Sequence, residues 1–276
     1  TSNLDDTIDA DAVLVVVPSH GYREVVRDFL GRLPAGKATT MISAAKGIET
    51  TSLARMSQVT AEEAATANRS VTFACLAGPS FAAELARDLP TVAVVASADG
   101  DLATRLRHRL SSKTFRLYST TDVVGVELGG TTKNVVAIAA GVVSGLELGH
   151  NTQAALLTRG LHEITRLGVA CGGQSRTFAG LAGMGDLVLT CTGPLSRNRQ
   201  FGVQLAQGKT VSEIRAATSM VAEGVRNSKA VAALAQRKGV EMPITEQMVQ
   251  VLYHDKAPRQ VIEDLMTREL RSEAEL

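Results

Sequence analysis

The stretch AVLVVV, residues 12–17, decides the fold class of this chain, and the turn-forming and polar residues Pro18, Ser19 and His20 follow it. A continuous run of aliphatic residues is typical of a strand that is covered on both faces of its sheet. Similar runs follow at TTMISAA (39–45), VTFACL (71–76), TVAVVA (91–96) and TFRLY (114–118). Between them lie segments with apolar residues at three- and four-residue spacing, such as 21–33 and 81–87. Strands that alternate with helices predict an α/β domain with a doubly wound, mostly parallel sheet.

Beyond residue 121 the strand pattern stops, and signals for helix ends replace it. Thr210 and Glu213 form a capping-box pattern, and Gly239 follows a basic turn, as expected at the C-terminal end of a helix. Pro243 and Pro258 stand where new helices are expected to begin. We therefore predict two domains, an α/β domain over residues 1–121 and an all-α domain over residues 122–276.

Length and composition limit the classes of protein that fit. The 276 residues suit two domains of ordinary size. Because 29 Lys and Arg residues nearly balance 28 Asp and Glu residues, the net charge of +1 argues against binding nucleic acid through bulk charge. The three cysteines are too few for a disulfide framework or a cysteine-based metal site, and they suit a reducing cytosol. No apolar run approaches the ~18 residues needed to cross a bilayer.

Lys133 is the first candidate for chemistry. It follows Gly-Gly-Thr-Thr (129–132) at the head of an apolar helical stretch, where its ammonium group is expected to be poorly solvated. Burial lowers the pKa of a lysine from about 10.4, so a neutral amine that accepts a proton becomes accessible near neutral pH. The alternative is a structural lysine whose head group reaches solvent.

A second candidate is Asp186, in the sequence GMGD (183–186). Paired glycines let the backbone approach a ligand closely, and the carboxylate then falls at the start of a helix. The alternative is that Asp186 serves only as a helix N-cap.

The third candidate is the segment Ser196-Arg197-Asn198-Arg199, which follows Gly193-Pro194. A helix N-terminus with an arginine beside it suits a phosphate group, because free N–H groups, the helix dipole and the guanidinium all favour a dianion. The alternative is a solvated, basic helix end.

Polar residues also follow two predicted strands of the first half. Lys46-Gly47 ends one strand, and Gly78-Pro79-Ser80 ends the next. Ligands bind beyond the carboxyl ends of strands in open α/β sheets, so we expect these residues to face a ligand crevice. Lys46 and Arg197 together are expected to form a local phosphate site. The histidines show no spacing typical of metal ligands, so we predict no metal site.

Together these segments resemble the bacterial NAD(P)-dependent sn-glycerol-3-phosphate dehydrogenases. The resemblance covers essentially the whole chain and rests on the order and spacing of VLVVVPSH (13–20), AAKGIE (44–49), AGPSFAAELA (77–86), ELGGTTKNVVAIAAG (127–141), NTQAALLTRGLHEITRLG (151–168), FAGLAGMGDLVLTCT (178–192), SRNRQFG (196–202), VAEGVRN (221–227) and GVEMPI (239–244). It implies a Rossmann-like sheet followed by an all-helical domain, in agreement with the pattern of strands and helices.

The resemblance implies reversible hydride transfer between C2 of sn-glycerol 3-phosphate and NAD or NADP, with dihydroxyacetone phosphate as product, feeding glycerophospholipid synthesis. Lys133 matches the catalytic lysine, which takes or returns the proton of the C2 hydroxyl. The matched substrate-binding positions are Lys46, Gly78, Ser80, Lys133, Asp186, Thr190, Ser196, Arg197 and Asn198, and Asn134 shapes the same pocket. The matched cofactor-binding positions are Lys46, Ala82, Arg197, Val221 and Glu223.

The chain departs from this family at its start. The family begins with a strand, a GxGxxG turn and a helix, and no such glycine pattern occurs in these 276 residues. We therefore expect an N-terminally incomplete sheet that lacks roughly 60–75 residues, including a normally central strand. Such a sheet exposes strand edges, and the chain as written is expected to bind dinucleotide poorly.

The resemblance favours NADPH over NADH, although the residue that selects between them belongs to the absent segment. It also implies a cytoplasmic homodimer that acts on a small molecule, with no nucleic acid partner and no membrane span. Two alternatives stay open. One is a non-catalytic or inactive fragment of such an enzyme, and the other is a related two-domain dehydrogenase of another phosphorylated alcohol.

Overall fold

The computed structural model describes residues 3–217, 222–270 and 272–273. Its strands are β1 (Ala12–Val15), β2 (Thr39–Ser43), β3 (Val71–Ala77), β4 (Thr91–Ala96) and β5 (Phe115–Thr120). The helices among them are α1 (Tyr22–Arg32), α2 (Met56–Thr66), α3 (Ala82–Leu85) and α4 (Gly100–Leu110). Each strand predicted from the sequence is present, with ends that differ by at most two residues.

The five strands form one sheet in the order β1-β2-β3-β4-β5. The pairs β1–β2, β2–β3 and β4–β5 are parallel, whereas β4 runs antiparallel to β3 after a connection that contains only the four-residue helix α3. The prediction of a mostly parallel sheet is therefore confirmed. β1 is an edge strand, and Leu14 and Val16 at this edge are 54% and 67% exposed.

Both faces of the sheet are covered by apolar side chains. Met41 packs with Tyr22 and Phe29 of α1 in one core, whereas the next residue of β2, Ile42, packs with Leu102 of α4 in another. Neighbouring residues of a strand point to opposite faces, which explains why β2 has a continuous apolar sequence.

Every element beyond residue 121 in the described ranges is helical. They are α5 (Val123–Gly145), α6 (Gly149–Ala170), α7 (Ser175–Phe178), α8 (Asp186–Thr192), α9 (Arg197–Ala206), α10 (Val211–Ala216), α11 (Glu223–Lys238), α12 (Pro243–Tyr253) and α13 (Pro258–Met266). The predicted capping box at Thr210, the left-handed Gly239 and the two prolines that begin helices are confirmed. A π-helical turn, Leu181–Gly185, leads directly into α8. The division into domains at residues 121 and 122 stays a prediction.

α5 is the central helix of this half. Its Ala-, Val- and Gly-rich sequence is buried from Gly125 to Val143, as expected for a helix that is apolar on every side. A Cβ atom on Gly141 would lie 2.0 Å from the carbonyl oxygen of Arg199, and one on Gly202 would lie 2.0 Å from that of Ile138. Glycines at this crossing therefore let α9 lie directly against α5.

No single helix of the described residues is long and apolar enough to cross a membrane. One bent pair, Ser175–Thr192 with Arg197–Ala206, meets that test by length and composition, with 46° between its halves. Phe178, Leu187 and Phe201 of this pair pack in the core of the helical half.

Candidate active site

A cavity of about 740 Å³ lies between strand ends and helices. It is at the carboxyl ends of β1 and β2, where open α/β sheets bind their ligands. The residues that line it come from both halves of the chain: 16–18, 44–46, 76, 80–83, 133–134, 190, 195–198 and 223.

Lys133 lies in the middle of α5 and reaches the cavity wall, although the residue is only 4% exposed. Its ammonium donates hydrogen bonds to Oδ1 of Asp186 and, over 2.7 Å, to Oγ1 of Thr190. Burial, together with the positive charge of Lys46, lowers the pKa of Lys133 to about 7. The alternative of a lysine that extends to solvent is therefore wrong.

Asp186 is the first residue of α8 and is 1% exposed. Its Oδ2 atom accepts a hydrogen bond of 2.9 Å from Nζ of Lys46, while Oδ1 accepts from Lys133. Burial by itself would raise the pKa of Asp186, but the charges of Lys46 and Lys133 hold it below its ordinary value. The N-cap alternative is wrong, because the residue before Asp186 occupies the cap position.

Lys46 follows β2, and Gly78 follows the neighbouring strand β3, so the two strand ends meet as the sequence predicts. Nζ of Lys46 also donates to the carbonyl oxygen of Gly78 over 3.4 Å, and the hydroxyl of Ser80 donates to the same oxygen over 3.1 Å. Lys46 and Ser80 line the cavity, whereas Gly78 and Asp186, both hydrogen-bonded to Lys46, are not among its lining residues. The ammonium of Lys46 is directed at Asp186 rather than free for a phosphate group.

The start of α9 forms another wall of the cavity. Oγ of Ser196 accepts a hydrogen bond of 3.2 Å from the backbone N–H of Arg199 and thereby caps the helix. Arg197 is exposed at the cavity, and its guanidinium forms neither a hydrogen bond nor an ion pair within the described part of the chain. Asn198 donates to Oδ1 of Asn134 over 3.0 Å and thus joins α9 to α5.

Four of the five predicted cofactor positions, Lys46, Ala82, Arg197 and Glu223, line the cavity. Ala82 begins α3 and lines the cavity, and Glu223 begins α11. Oε1 of Glu223 accepts a hydrogen bond of 3.2 Å from the backbone N–H of Ser19, and burial raises the pKa of this carboxyl group. Val221 lies outside the described residues.

Two buried polar groups in this part of the molecule were not identified from the sequence. Asn227 of α11, which is 1% exposed, donates through Nδ2 to the carbonyl oxygen of Lys46 over 3.0 Å. Glu127 of α5 binds the guanidinium of Arg55 and, over 2.7 Å, the backbone N–H of Ser57. The four-residue spacing between Glu223 and Asn227 was the available signal, since it places both on one helix face.

The arrangement suits proton exchange near neutral pH. Two ammonium groups share one buried carboxylate, so one of the amines loses its proton readily, and Lys133 is the more deeply buried of the two. In the described ranges, no group of three His, Cys, Asp or Glu side chains is placed to hold a metal ion.

A mostly parallel sheet with a crevice at its strand ends, followed by helices that supply a buried lysine, is an architecture of nucleotide-dependent dehydrogenases. Two family models match the chain. The model for the N-terminus of NAD-dependent glycerol-3-phosphate dehydrogenase matches residues 1–103, and the model for the C-terminus matches residues 122–263. The chain therefore belongs to the NAD-dependent glycerol-3-phosphate dehydrogenase family.

Individual relatives agree with this assignment. The glycerol-3-phosphate dehydrogenase [NAD(P)+] of Citrifermentans bemidjiense is 52% identical over 261 residues, which cover 95% of this chain and 77% of that protein. That of Nitratidesulfovibrio vulgaris is 51% identical over 264 residues, covering 96% and 79%. The crystal structure of glycerol-3-phosphate dehydrogenase from Coxiella burnetii matches with a TM-score of 0.90 at 40% identity, covering 96% of this chain and 80% of that one. The fold and the family resemblance predicted from the sequence are confirmed.

Proposed function

We propose that this chain interconverts sn-glycerol 3-phosphate and dihydroxyacetone phosphate by hydride transfer with NAD or NADP. The observation that carries this proposal is Lys133, a buried amine with a pKa near 7 on the wall of a cavity that also holds Arg197. The names of the relatives at about half identity support the same reaction.

The described residues fit the nicotinamide end of the cofactor. Ala44, Ala45, Ala82 and Ala83 line the cavity with small side chains that leave room for a flat ring, and Glu223 adds a polar group. A bound NAD or NADP supplies the hydride acceptor or donor. The glycine-rich turn that binds the diphosphate in such folds does not occur in these 276 residues, so the fit is limited to this end.

Lys133 acts as the proton donor and acceptor. In reduction of the ketone, the Lys133 ammonium gives its proton to the C2 oxygen while that carbon gains a hydride, and the amine is left neutral. In oxidation the neutral amine takes the C2 hydroxyl proton. Thr190 and Asp186 orient Nζ through their hydrogen bonds, and Lys46 holds Asp186 from the other side.

Arg197 and the start of α9 bind the phosphate group. Arg197 is the first residue of α9 and lines the cavity, so its guanidinium and the dipole at the helix N-terminus both favour a phosphate group there. Ser196 and Asn198 complete this wall, with Ser80 facing the bound substrate from the sheet side. Gly78 and Asp186 contribute by holding Lys46.

Several further properties belong to this proposal. Residues 1–121 form the cofactor domain and residues 122–276 the substrate domain, and the protein acts as a homodimer with a preference for NADPH. The free cysteines Cys75, Cys171 and Cys191 support a cytoplasmic location.

Replacement of Lys133 tests the function. Lys133→Ala is expected to reduce the rate of dihydroxyacetone phosphate reduction by about 10²- to 10⁴-fold, because the proton donor is lost. Initial rates with NADH and with NADPH measure this. Lys209→Ala is the matched control, since Lys209 is exposed and binds only Gln204 in the described structure. Activity of Lys133→Ala within a few-fold of the parent chain would show that the assigned role is wrong.

Two further measurements separate the alternatives. A panel of phosphorylated and unphosphorylated ketones tests whether Arg197 selects a phosphate, and preference for an unphosphorylated ketone would contradict the proposal. Calorimetry with NADH and NADPH tests for an inactive fragment, because a chain that binds neither cofactor cannot carry out the reaction.

A further inference from the structure

The position of Lys46 requires an explanation, because it lies beyond the end of β2 and outside any regular element. Its ammonium must reach Asp186 at 2.9 Å while its own main chain stays fixed. Ile48, two residues later, is buried in the core of the helical half, which anchors one side of this segment. The main chain of Lys46 itself is held by a different contact.

That contact comes from α11. The Nδ2 atom of Asn227 donates a hydrogen bond of 3.0 Å to the carbonyl oxygen of Lys46, a residue 181 positions away in sequence. Glu223, one helical turn earlier, accepts a hydrogen bond from the backbone N–H of Ser19. One face of α11 therefore fastens the segments that follow two neighbouring strands, β1 and β2.

The three segments meet without spare room. A Cβ atom on Gly47 would lie 2.1 Å from Oγ of Ser19 and 3.1 Å from Oδ1 of Asn227. Oδ1 of Asn227 is buried and accepts no hydrogen bond from any residue that the structure describes. An unsatisfied buried acceptor lowers the free energy of unfolding, so stability alone does not explain an asparagine at position 227. The Nδ2 group of Asn227 donates to the main chain of Lys46.

We infer that Asn227 is a positioning residue, which acts through the main chain of Lys46 to set where the Lys46 ammonium stands against Asp186 and Lys133. This inference rests on the proposed function, in which Lys133 exchanges the substrate proton. Asn227 itself does not line the cavity and is not proposed to touch the substrate.

A displacement of Lys46 is expected to change the pKa of Lys133, which depends on the groups around its amine. These are Asp186, Thr190 and the Cys191 thiol of α8, Lys46 beyond β2 and Glu223 of α11. After burial, the charge of Lys46 is the largest influence that lowers the pKa of Lys133. If Lys46 moves away, the pKa of Lys133 therefore rises.

The test measures the titration of the Lys133 amine directly. Trace acetylation with acetic anhydride over a pH series, read by mass spectrometry, gives its apparent pKa without cofactor or turnover. In Asn227→Ala this pKa is expected to rise by a few tenths of a unit to about one unit. The alkaline limb of dihydroxyacetone phosphate reduction is expected to shift in the same direction. If Asn227→Ala does not fold, Asn227→Ser, which fills more of the space but is too short to reach Lys46, takes its place.

Ser228→Ala is the matched control. Ser228 is also fully buried on α11, but its hydroxyl donates within the helix to Val225. This variant is expected to lower the melting temperature and leave the Lys133 titration unchanged. The same shift in Ser228→Ala as in Asn227→Ala would overturn the inference, because the effect would then be general loosening of α11.

A double-mutant cycle gives the decisive comparison. Lys46→Ala removes the ammonium but keeps the carbonyl oxygen that Asn227 binds, so the contact survives without the group that it positions. Asn227→Ala is expected to have no further effect on the Lys133 titration in that background. An equal effect in both backgrounds would overturn the inference. If the parent chain shows no turnover, the proposed function fails, whereas the titration still decides the role of Asn227.

Discussion

Asp186 and Glu163 are two buried carboxylates of the helical half, and they have opposite surroundings. Asp186 receives hydrogen bonds from two lysine ammonium groups beside the cavity. Glu163 of α6 receives them from the backbone N–H groups of Ile244 and Thr245, at 2.6 and 3.3 Å, and from the hydroxyl of Thr245. The pKa of Asp186 is held low, whereas burial raises that of Glu163 to about 7.

The difference teaches how this chain separates a reactive group from a structural one. Glu163 ties α6 to the start of α12 and lies away from the cavity lining, so its proton affects only stability. Asp186 is paired with two lysine ammonium groups, so one positive charge is in excess, and Lys133 is the amine proposed to exchange protons. Burial alone therefore does not mark a site, whereas an unbalanced buried charge beside a cavity does.

The largest expected effect comes from removing the shared anion. Asp186→Ala leaves the buried ammonium of Lys133 and the half-buried one of Lys46 without their shared counter-charge, and it is expected to lower the free energy of unfolding by about 3 kcal/mol. Urea denaturation followed by circular dichroism measures it. Asp28→Ala is the control, because Asp28 forms an exposed pair with Arg32 and its loss is expected to cost at most about 0.5 kcal/mol. Equal losses in the two variants would contradict the charge imbalance.

Glu163→Gln tests the other carboxylate. Its pKa is raised from 4.5 to about 7, so the folded state binds more protons than the unfolded state between these values. The free energy of unfolding therefore falls as pH rises through this window, by about 1 to 3 kcal/mol in total. Glutamine cannot titrate, so the variant is expected to lose this slope in melting experiments from pH 4.5 to 8.

Glu246→Gln is the control for that experiment, since Glu246 is exposed on the first turn of the same helix, α12. It is expected to keep the slope of the parent chain. A Glu163→Gln variant with an unchanged slope would show that Glu163 is ionised throughout the window.

The pH dependence of turnover distinguishes the two protonation states of Lys133. Reduction of dihydroxyacetone phosphate uses the ammonium form, so its rate is expected to fall above pH 7, by up to about tenfold per unit. Oxidation of sn-glycerol 3-phosphate uses the neutral amine and is expected to rise over the same range. Rates in both directions from pH 5.5 to 9 measure this. If the rates of reduction and oxidation both rise or both fall with pH, Lys133 is not the proton carrier.

The smallest expected effect is a gain of stability in an inactive variant. Lys133→Met leaves Asp186 paired with Lys46 alone, so the free energy of unfolding is expected to rise by about 1 kcal/mol at pH 7. Because the pKa of Lys133 is lowered from 10.5 to about 7, the gain is largest at or below pH 7 and vanishes as pH approaches 10.5. Lys209→Met, at an exposed position, is expected to show no gain.

The sheet and the helix ends could be predicted because their causes are local. β2 is apolar on both faces, and Gly239 ends its helix in the left-handed conformation, with φ of 66°, that glycine adopts easily. The burial of Lys133 followed from the apolar residues around it. The antiparallel direction of β4 did not follow, because it depends on how the chain returns after α3.

The pairings inside the site could not be predicted from the residues alone. Lys46 and Asp186 are 140 positions apart, and Asn227 meets Lys46 over a still longer separation. Each residue has an ordinary surface explanation when it is read by itself. Only the packing of α8 and α11 against the strand ends turns Lys46 from an expected phosphate ligand into the partner of Asp186.

The glycine crossing of α5 and α9 also bears on substrate size. Gly141 and Gly202 fix the contact between the helix that carries Lys133 and the helix that begins with Arg197. The crossing thereby sets the distance between the backbone of Lys133, which is proposed to carry the proton, and that of Arg197, which is proposed to bind the phosphate group. A phosphorylated ketone with one more carbon between its carbonyl and its phosphate is therefore expected to contact either Lys133 or Arg197, but not both at once.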